Sequence, residues 1–125
     1  MKAQAQVDAF RQSLAKLKEA LGLQKSAITR DSAILRFELA FETAWKACQT
    51  LARAQGFEVN SPKQAFEAAF RLGWITDEII WDDILKKRNL AVHTYQESLA
   101  ESLYGRLKDF LPAFEELDRS LARCS

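Results

Sequence analysis

Apolar residues recur along this chain at steps of three and four, with polar residues filling the positions between. That is the period of an α-helix, and no stretch shows the period of two that a half-buried strand requires. From about residue 5 to 23 the stripe reads Val7, Phe10, Leu14, Leu17 and Leu21, and Gly22 marks its end. A second helix is expected to start near Asp31, which can cap it, and to run to Gly56, a favoured residue just past a helix end. Its stripe is Ile34, Phe37, Phe41, Trp45, Cys48 and Leu51, the pattern of a core-facing side in which Cys48 is packing. Ser61-Pro62-Lys63-Gln64 then opens a short helix, with Ser61 as cap, Pro62 in the first turn and Gln64 completing a capping box. Ala65, Phe66, Ala69 and Phe70 form its expected buried side, and Gly73 stops it. Thr76 reads as the cap of the next helix, where Ile79, Ile80, Trp81, Ile84 and Leu85 supply apolar contact. The last helix runs from about Glu97 to Arg123 on Leu99, Leu103, Leu107, Phe110, Leu111, Phe114, Leu117 and Leu121. Pro112 inside it predicts a kink or short break. Four or five amphipathic helices on short loops predict an all-α fold, an antiparallel up-and-down bundle forming one domain over residues 1–125.

Composition narrows the function classes. With 48% hydrophobic and 28% charged residues the chain is globular, not disordered. A net charge of +1 leaves no global electrostatic footprint for nucleic acid, so any such contact must come from a local patch. No apolar run approaches the roughly 18 residues of a membrane span, and polar residues from Lys2 to Asp8 interrupt any signal-peptide core. The expected compartment is the cytoplasm. Cys48 and Cys124 are too few for a disulfide framework or a zinc site, so no metal and no cofactor are expected. Phosphate-binding glycine loops, the dinucleotide fingerprint, HExxH and CxxC are all missing, so this chain alone is not expected to bind and cleave nucleoside triphosphates.

The chemistry concentrates in Arg88-Asn89-Leu90-Ala91-Val92-His93-Thr94-Tyr95, which holds the only histidine of the chain. Imidazole exchanges protons near neutral pH, guanidinium grips phosphate and the phenol offers a hydroxyl. The competing explanation is structural: Lys86, Lys87 and Arg88 complement the dipole at a helix C-terminus. On one straight helix Arg88 and His93 would lie roughly 140° apart, so they converge only if the helix ends or bends between them, or if each faces a second copy. Asn89 and His93, at i and i+4, would share a face and could orient each other. On the second helix, Glu42 and Lys46 read as an exposed ion pair contributing about 0.3–0.5 kcal/mol. The sharper alternative has Arg36 and Lys46 facing a polar cleft with Trp45 as one wall. Adjacent Asp82 and Asp83 point to different faces and make a poor acid–base dyad.

Taken in order, Arg36-Phe37-Glu38, Phe41-Glu42, Trp45-Lys46, Ser61-Pro62-Lys63, Ala69-Phe70-Arg71, Trp81 and Arg88-Asn89-Leu90-x-x-His93-Thr94-Tyr95 resemble the nucleotidyltransferase substrate-binding branch of the HEPN superfamily, over residues 34–117. Val92 departs from the small polar residue that relatives often carry there. The resemblance implies helical bundles forming two-fold dimers, with the Arg-x4-His motifs of both protomers lining a cleft. It implies a separate minimal nucleotidyltransferase chain as partner. In toxin–antitoxin members the helical chain is a metal-independent ribonuclease, silenced by transfer of AMP to the motif tyrosine, here Tyr95. On that expectation two copies of His93 exchange the protons, Arg88 stabilises charge on phosphorus and Asn89 orients His93 or the phosphate. Other members are substrate-binding subunits that cleave nothing, the alternative expectation for this chain. The near-zero net charge leans toward that alternative; the intact Arg88, His93 and Tyr95 lean toward the ribonuclease.

Overall fold

The computed structural model describes residues 2–124. Five α-helices follow one another: α1 (Lys2–Gly22), α2 (Ala27–Ala54), α3 (Pro62–Arg71), α4 (Glu78–Leu90) and α5 (Glu97–Cys124), with a single 3-10 turn at Ala91–His93. No strand occurs among the described residues. The expected all-α bundle is the observed architecture. Contacts with α5 give the directions: Arg11 and Lys18 of α1 reach Asp118 and Glu115 in reverse order, Arg30 and Phe37 of α2 reach Glu97 and Phe110 in the same order, and Thr76 and Asp83, before and within α4, reach Glu116 and Arg106 in reverse order. The four longer helices therefore alternate up and down, and the short α3 sits in the crossing from α2 to α4.

The core is aromatic where the helices meet. Phe37 packs on Phe110 and Phe114, with ring centroids 5.8 and 6.2 Å apart. Phe41, Phe66, Trp81 and Phe114 continue as neighbouring rings at 5.5, 4.5 and 5.4 Å. Such pairs stabilise by roughly 0.5–1.5 kcal/mol each beyond the area they bury. The stripes expected on α1 and α5 are buried as read, apart from Leu99 and Leu111, which are half-exposed. Ser120, a buried hydroxyl in the α5 stripe, donates to the Trp74 carbonyl at 2.8 Å and ties the α3–α4 connection to α5.

Local signals place most helix ends. At Gly56 (φ 91°), the Phe57 N–H bonds the Ala52 carbonyl and the Gly56 N–H bonds that of Arg53, a Schellman stop. Gly73 (φ 78°) closes α3 in the same way through Ala69 and Phe70. Other expectations need correction. α2 begins four residues before Asp31, because Ser26 and Thr29 form a reciprocal capping box. The cap of α4 is Asp77, not Thr76, which instead bonds Glu116 on α5. Ser61 caps α3, but the Gln64 side chain accepts from the Asn60 N–H, one residue upstream of the box position. Phe70 and Ile79 are exposed (40% and 84%), and Ala68 takes the buried place on α3. Pro112 does not break α5, which is continuous from Glu97 to Cys124.

Candidate functional site

Helix α4 ends at Leu90, between Arg88 and His93, so the two are not held 140° apart on one cylinder. The 3-10 turn follows, closed by the Thr94 N–H and Thr94 Oγ1 on the Ala91 carbonyl (3.3 and 2.9 Å) and by the Gln96 N–H on the His93 carbonyl (3.0 Å). Ala91 is buried and pins the turn to the bundle, while Val92, His93 and Tyr95 project from it. The rings of His93 and Tyr95 meet edge to face at 6.2 Å. Tyr95 is 80% exposed and, with Thr94, borders a depression whose other wall is Asp31 and Ile34 of α2.

Arg88 is the inner member of the group. Its guanidinium sits over the Phe41 ring at 5.8 Å, and its Nη2 donates to Glu42 Oε1 at 3.4 Å. Its Nε is buried and has no acceptor among the described residues. Glu42 also accepts from the Trp45 indole N–H at 3.1 Å. Arg88 is thus a cation half-covered by protein, held loosely by one carboxylate and with donors to spare. That is the chemistry of an anion site whose resident carboxylate an incoming phosphate can displace.

The structure sorts the sequence candidates. Glu42, Trp45 and Arg88 come together, and His93 and Tyr95 come together on the adjoining turn. Glu42 pairs with Arg88 across helices, so the expected Glu42–Lys46 pair on α2 does not form; Lys46 is exposed. Arg36 turns the other way, donating to the Lys16 carbonyl at 2.8 Å, and holds α1 instead of facing a cleft. Asn89 is exposed and no hydrogen bond joins it to His93, because the helix that would have stacked them stops first. Asp82 and Asp83 do face apart: Asp82 lies 3.7 Å from Lys86, while Asp83 bonds Arg106 at 2.7 Å and Lys87 at 3.0 Å. The Arg106 hydrogen bond, more than that of Lys87, holds the Asp83 carboxyl below its usual range. Cys48 is enclosed, and burial pushes its thiol pKa up, so it stays protonated packing. No group of three potential metal ligands occurs among the described residues.

Arg30 is the functional-region residue that sequence reasoning missed. Its side chain is 6% exposed and donates to Glu97 through both terminal nitrogens (2.5 and 3.0 Å), to Asp31 at 3.0 Å and to Glu101 at 3.2 Å. Lys25 adds a second cation on Glu101 at 2.5 Å. The one available signal was the Glu97/Glu101 pair at i and i+4, which needs a cationic partner from another element.

A cavity of about 80 Å³ between α3 and α4, beside Phe66 and Trp81, is smaller than the roughly 300–1,000 Å³ typical of ligand pockets. The Arg88–Tyr95 surface, singled out by its side-chain chemistry and bordered by a depression of about 300 Å³, is the candidate site. A family model described as "Nucleotidyltransferase substrate binding protein like" matches residues 5–123. A solved protein of Thermus thermophilus is 38% identical, covers 92% of this chain and 98% of its own, and superposes with a TM-score of 0.81. The Haemophilus influenzae protein HI0074 is described as revealing "the fold of a substrate binding domain of a nucleotidyltransferase". It is 24% identical over 96% of each chain, with a TM-score of 0.63, a likeness of fold. Comparison with curated proteins finds no match.

Proposed function

This chain belongs to the nucleotidyltransferase substrate-binding protein family, and from that premise we propose that it is the substrate-binding subunit of a two-chain nucleotidyltransferase. It holds a phosphate-bearing ligand, a nucleotide or the end of an RNA, at Arg88, while a separate chain performs the transfer. One observation carries the reading: a half-buried guanidinium, its Nε without an acceptor among the described residues and its Nη2 on a single long carboxylate contact, ends the helix from which an exposed imidazole and phenol follow within seven residues. Arg88 supplies a planar fork for phosphate oxygens, and the His93 ring N–H adds a donor at the rim. Trp45 orients the Glu42 carboxylate that the phosphate displaces. Tyr95 lies where a bound partner can reach its hydroxyl, which suits it as acceptor of a nucleotidyl group.

A dimer belongs to the same proposal. Ile28, Leu35 and Leu39 share the outer face of α2 with exposures of 82%, 56% and 48%, and Leu90 at the end of α4 and Val92 and Tyr95 after it are exposed as well. A second copy covering this face brings two Arg88–His93 sets together, which is also the arrangement the ribonuclease alternative needs. One imidazole cannot both take the 2′-OH proton and protonate the leaving oxygen in a single step. The family model describes substrate binding, and that favours the subunit over the nuclease.

The test uses the single histidine as its reporter. 5′-AMP or inorganic phosphate titrated into the protein is expected to move the His93 ring resonances saturably, with Arg88→Ala weakening binding at least roughly tenfold, the loss of a charge-assisted contact of about 1.5–3 kcal/mol. Unchanged His93 signals at saturating ligand contradict the proposal. RNA cleavage by the lone chain that disappears in His93→Ala moves the function to the ribonuclease.

A further inference from the structure

The residues between Arg88 and Glu97 carry the exposed groups of the candidate site, and both ends of that segment are tied to one helix. Upstream, Arg88 meets Glu42; downstream, Glu97 meets Arg30. Both anchors belong to α2, twelve positions apart, or about 18 Å along its axis at about 1.5 Å per residue. Between them the chain touches the core through buried Ala91. The two ties are unequal. The Arg88–Glu42 contact is a single 3.4 Å bond that a ligand can replace. The Arg30–Glu97 contact is bidentate, its guanidinium almost fully covered, and every one of the three Arg30 nitrogens has a carboxylate partner. Planar fork-to-fork pairing restricts the carboxylate in orientation as well as distance. Lys25 on Glu101 braces the same corner one turn further along α5. Glu97 is the first residue of α5 and only two positions beyond Tyr95, so fixing it fixes where the turn must return.

We propose that Arg30, through Glu97, is the positioning residue of the site: a permanent clamp that holds the His93–Tyr95 turn in place while the exchangeable Arg88–Glu42 contact opens to ligand. The proposal rests on the phosphate-binding reading only for its consequence on affinity; its effect on the turn stands apart from any ligand.

Glu97→Gln is the variant of choice, because the Glu97 side chain is 77% exposed and its replacement leaves the core untouched. Asp109→Asn is the control: it cuts the Arg106–Asp109 pair elsewhere on α5 without touching the turn. The readouts are the ring-to-ring NOE between His93 and Tyr95, the His93 linewidth, and 5′-AMP affinity. Glu97→Gln is expected to broaden the His93 signals, weaken the NOE and reduce AMP affinity roughly tenfold, while the melting curve stays cooperative. Asp109→Asn is expected to change none of these. An unaltered NOE and linewidth in folded Glu97→Gln overturn the clamp, whatever AMP does. A loosened turn in a protein whose parent binds neither AMP nor phosphate supports the clamp and removes the nucleotide reading instead.

Discussion

The ligand-binding role proposed for Arg88 rests on surroundings that leave it half-used. Phe41 shields one side of the guanidinium, Glu42 accepts one hydrogen bond at long range and no described residue accepts from Nε. The Glu42 carboxylate is then a competitor for any phosphate at Arg88. Partly exposed ion pairs contribute about 1 kcal/mol at most, so Glu42→Gln is expected to tighten AMP binding by up to about fivefold. Trp45 fluorescence reports the same exchange, since its indole N–H now ends on Glu42. Weaker AMP binding in Glu42→Gln would mean that Glu42 orients Arg88 for the ligand instead of standing in its place. At this scale the sequence was informative about which residues matter and silent about their pairing. Glu42 looked like the partner of Lys46, four residues on; its actual partner is 46 residues away, where helix periodicity gives no guidance.

Among the helices, the ends were harder to read than the faces. The stripes of α1 and α5 are long and regular enough that burial follows from them. The start of α2 was misplaced because Thr29, not Glu or Gln, completes its capping box, while Asp31 offered a stronger-looking cap nearby. Asp31 is instead part of the Arg30 corner. Arg30 carries no signal within its own helix, because the Glu97 and Glu101 carboxylates that cover it arrive with another helix. That corner also carries a pH signature. Arg30 hydrogen bonds hold the Glu97 carboxyl below its ordinary value of 4.5, and Lys25 first, then Arg30, does the same for Glu101. Carboxyls depressed in this way stabilise the fold fully above the unfolded value and lose that contribution as pH falls through the folded one. Thermal stability is therefore expected to hold at neutral pH and to drop below about pH 4.5, with a shallower drop in Glu97→Gln. Superimposable pH profiles for the two proteins would show that Glu97 contributes nothing to acid stability.

For the molecule as a whole, a single chain leaves the α2 stripe of Ile28, Leu35 and Leu39 exposed, and Val92 and Tyr95 of the turn with it. Sedimentation is expected to give a dimer, and Leu39→Glu, which places a charge on that stripe, a folded monomer. A parent protein that sediments as a monomer at high concentration would confine the site to one protomer. Among the described residues no helix is long and apolar enough to cross a membrane. The bundle's order was legible because its helices are long and its loops short. The site was legible as a motif but not as a shape, because its shape depends on a helix ending at Leu90 and on contacts made across α2.

The most direct measurement is a crystal structure of the protein grown with 5′-AMP. The account predicts the phosphate within hydrogen-bond distance of the Arg88 guanidinium, with Glu42 displaced and His93 at the rim. Phosphate bound elsewhere, with the Arg88–Glu42 contact intact, would contradict it.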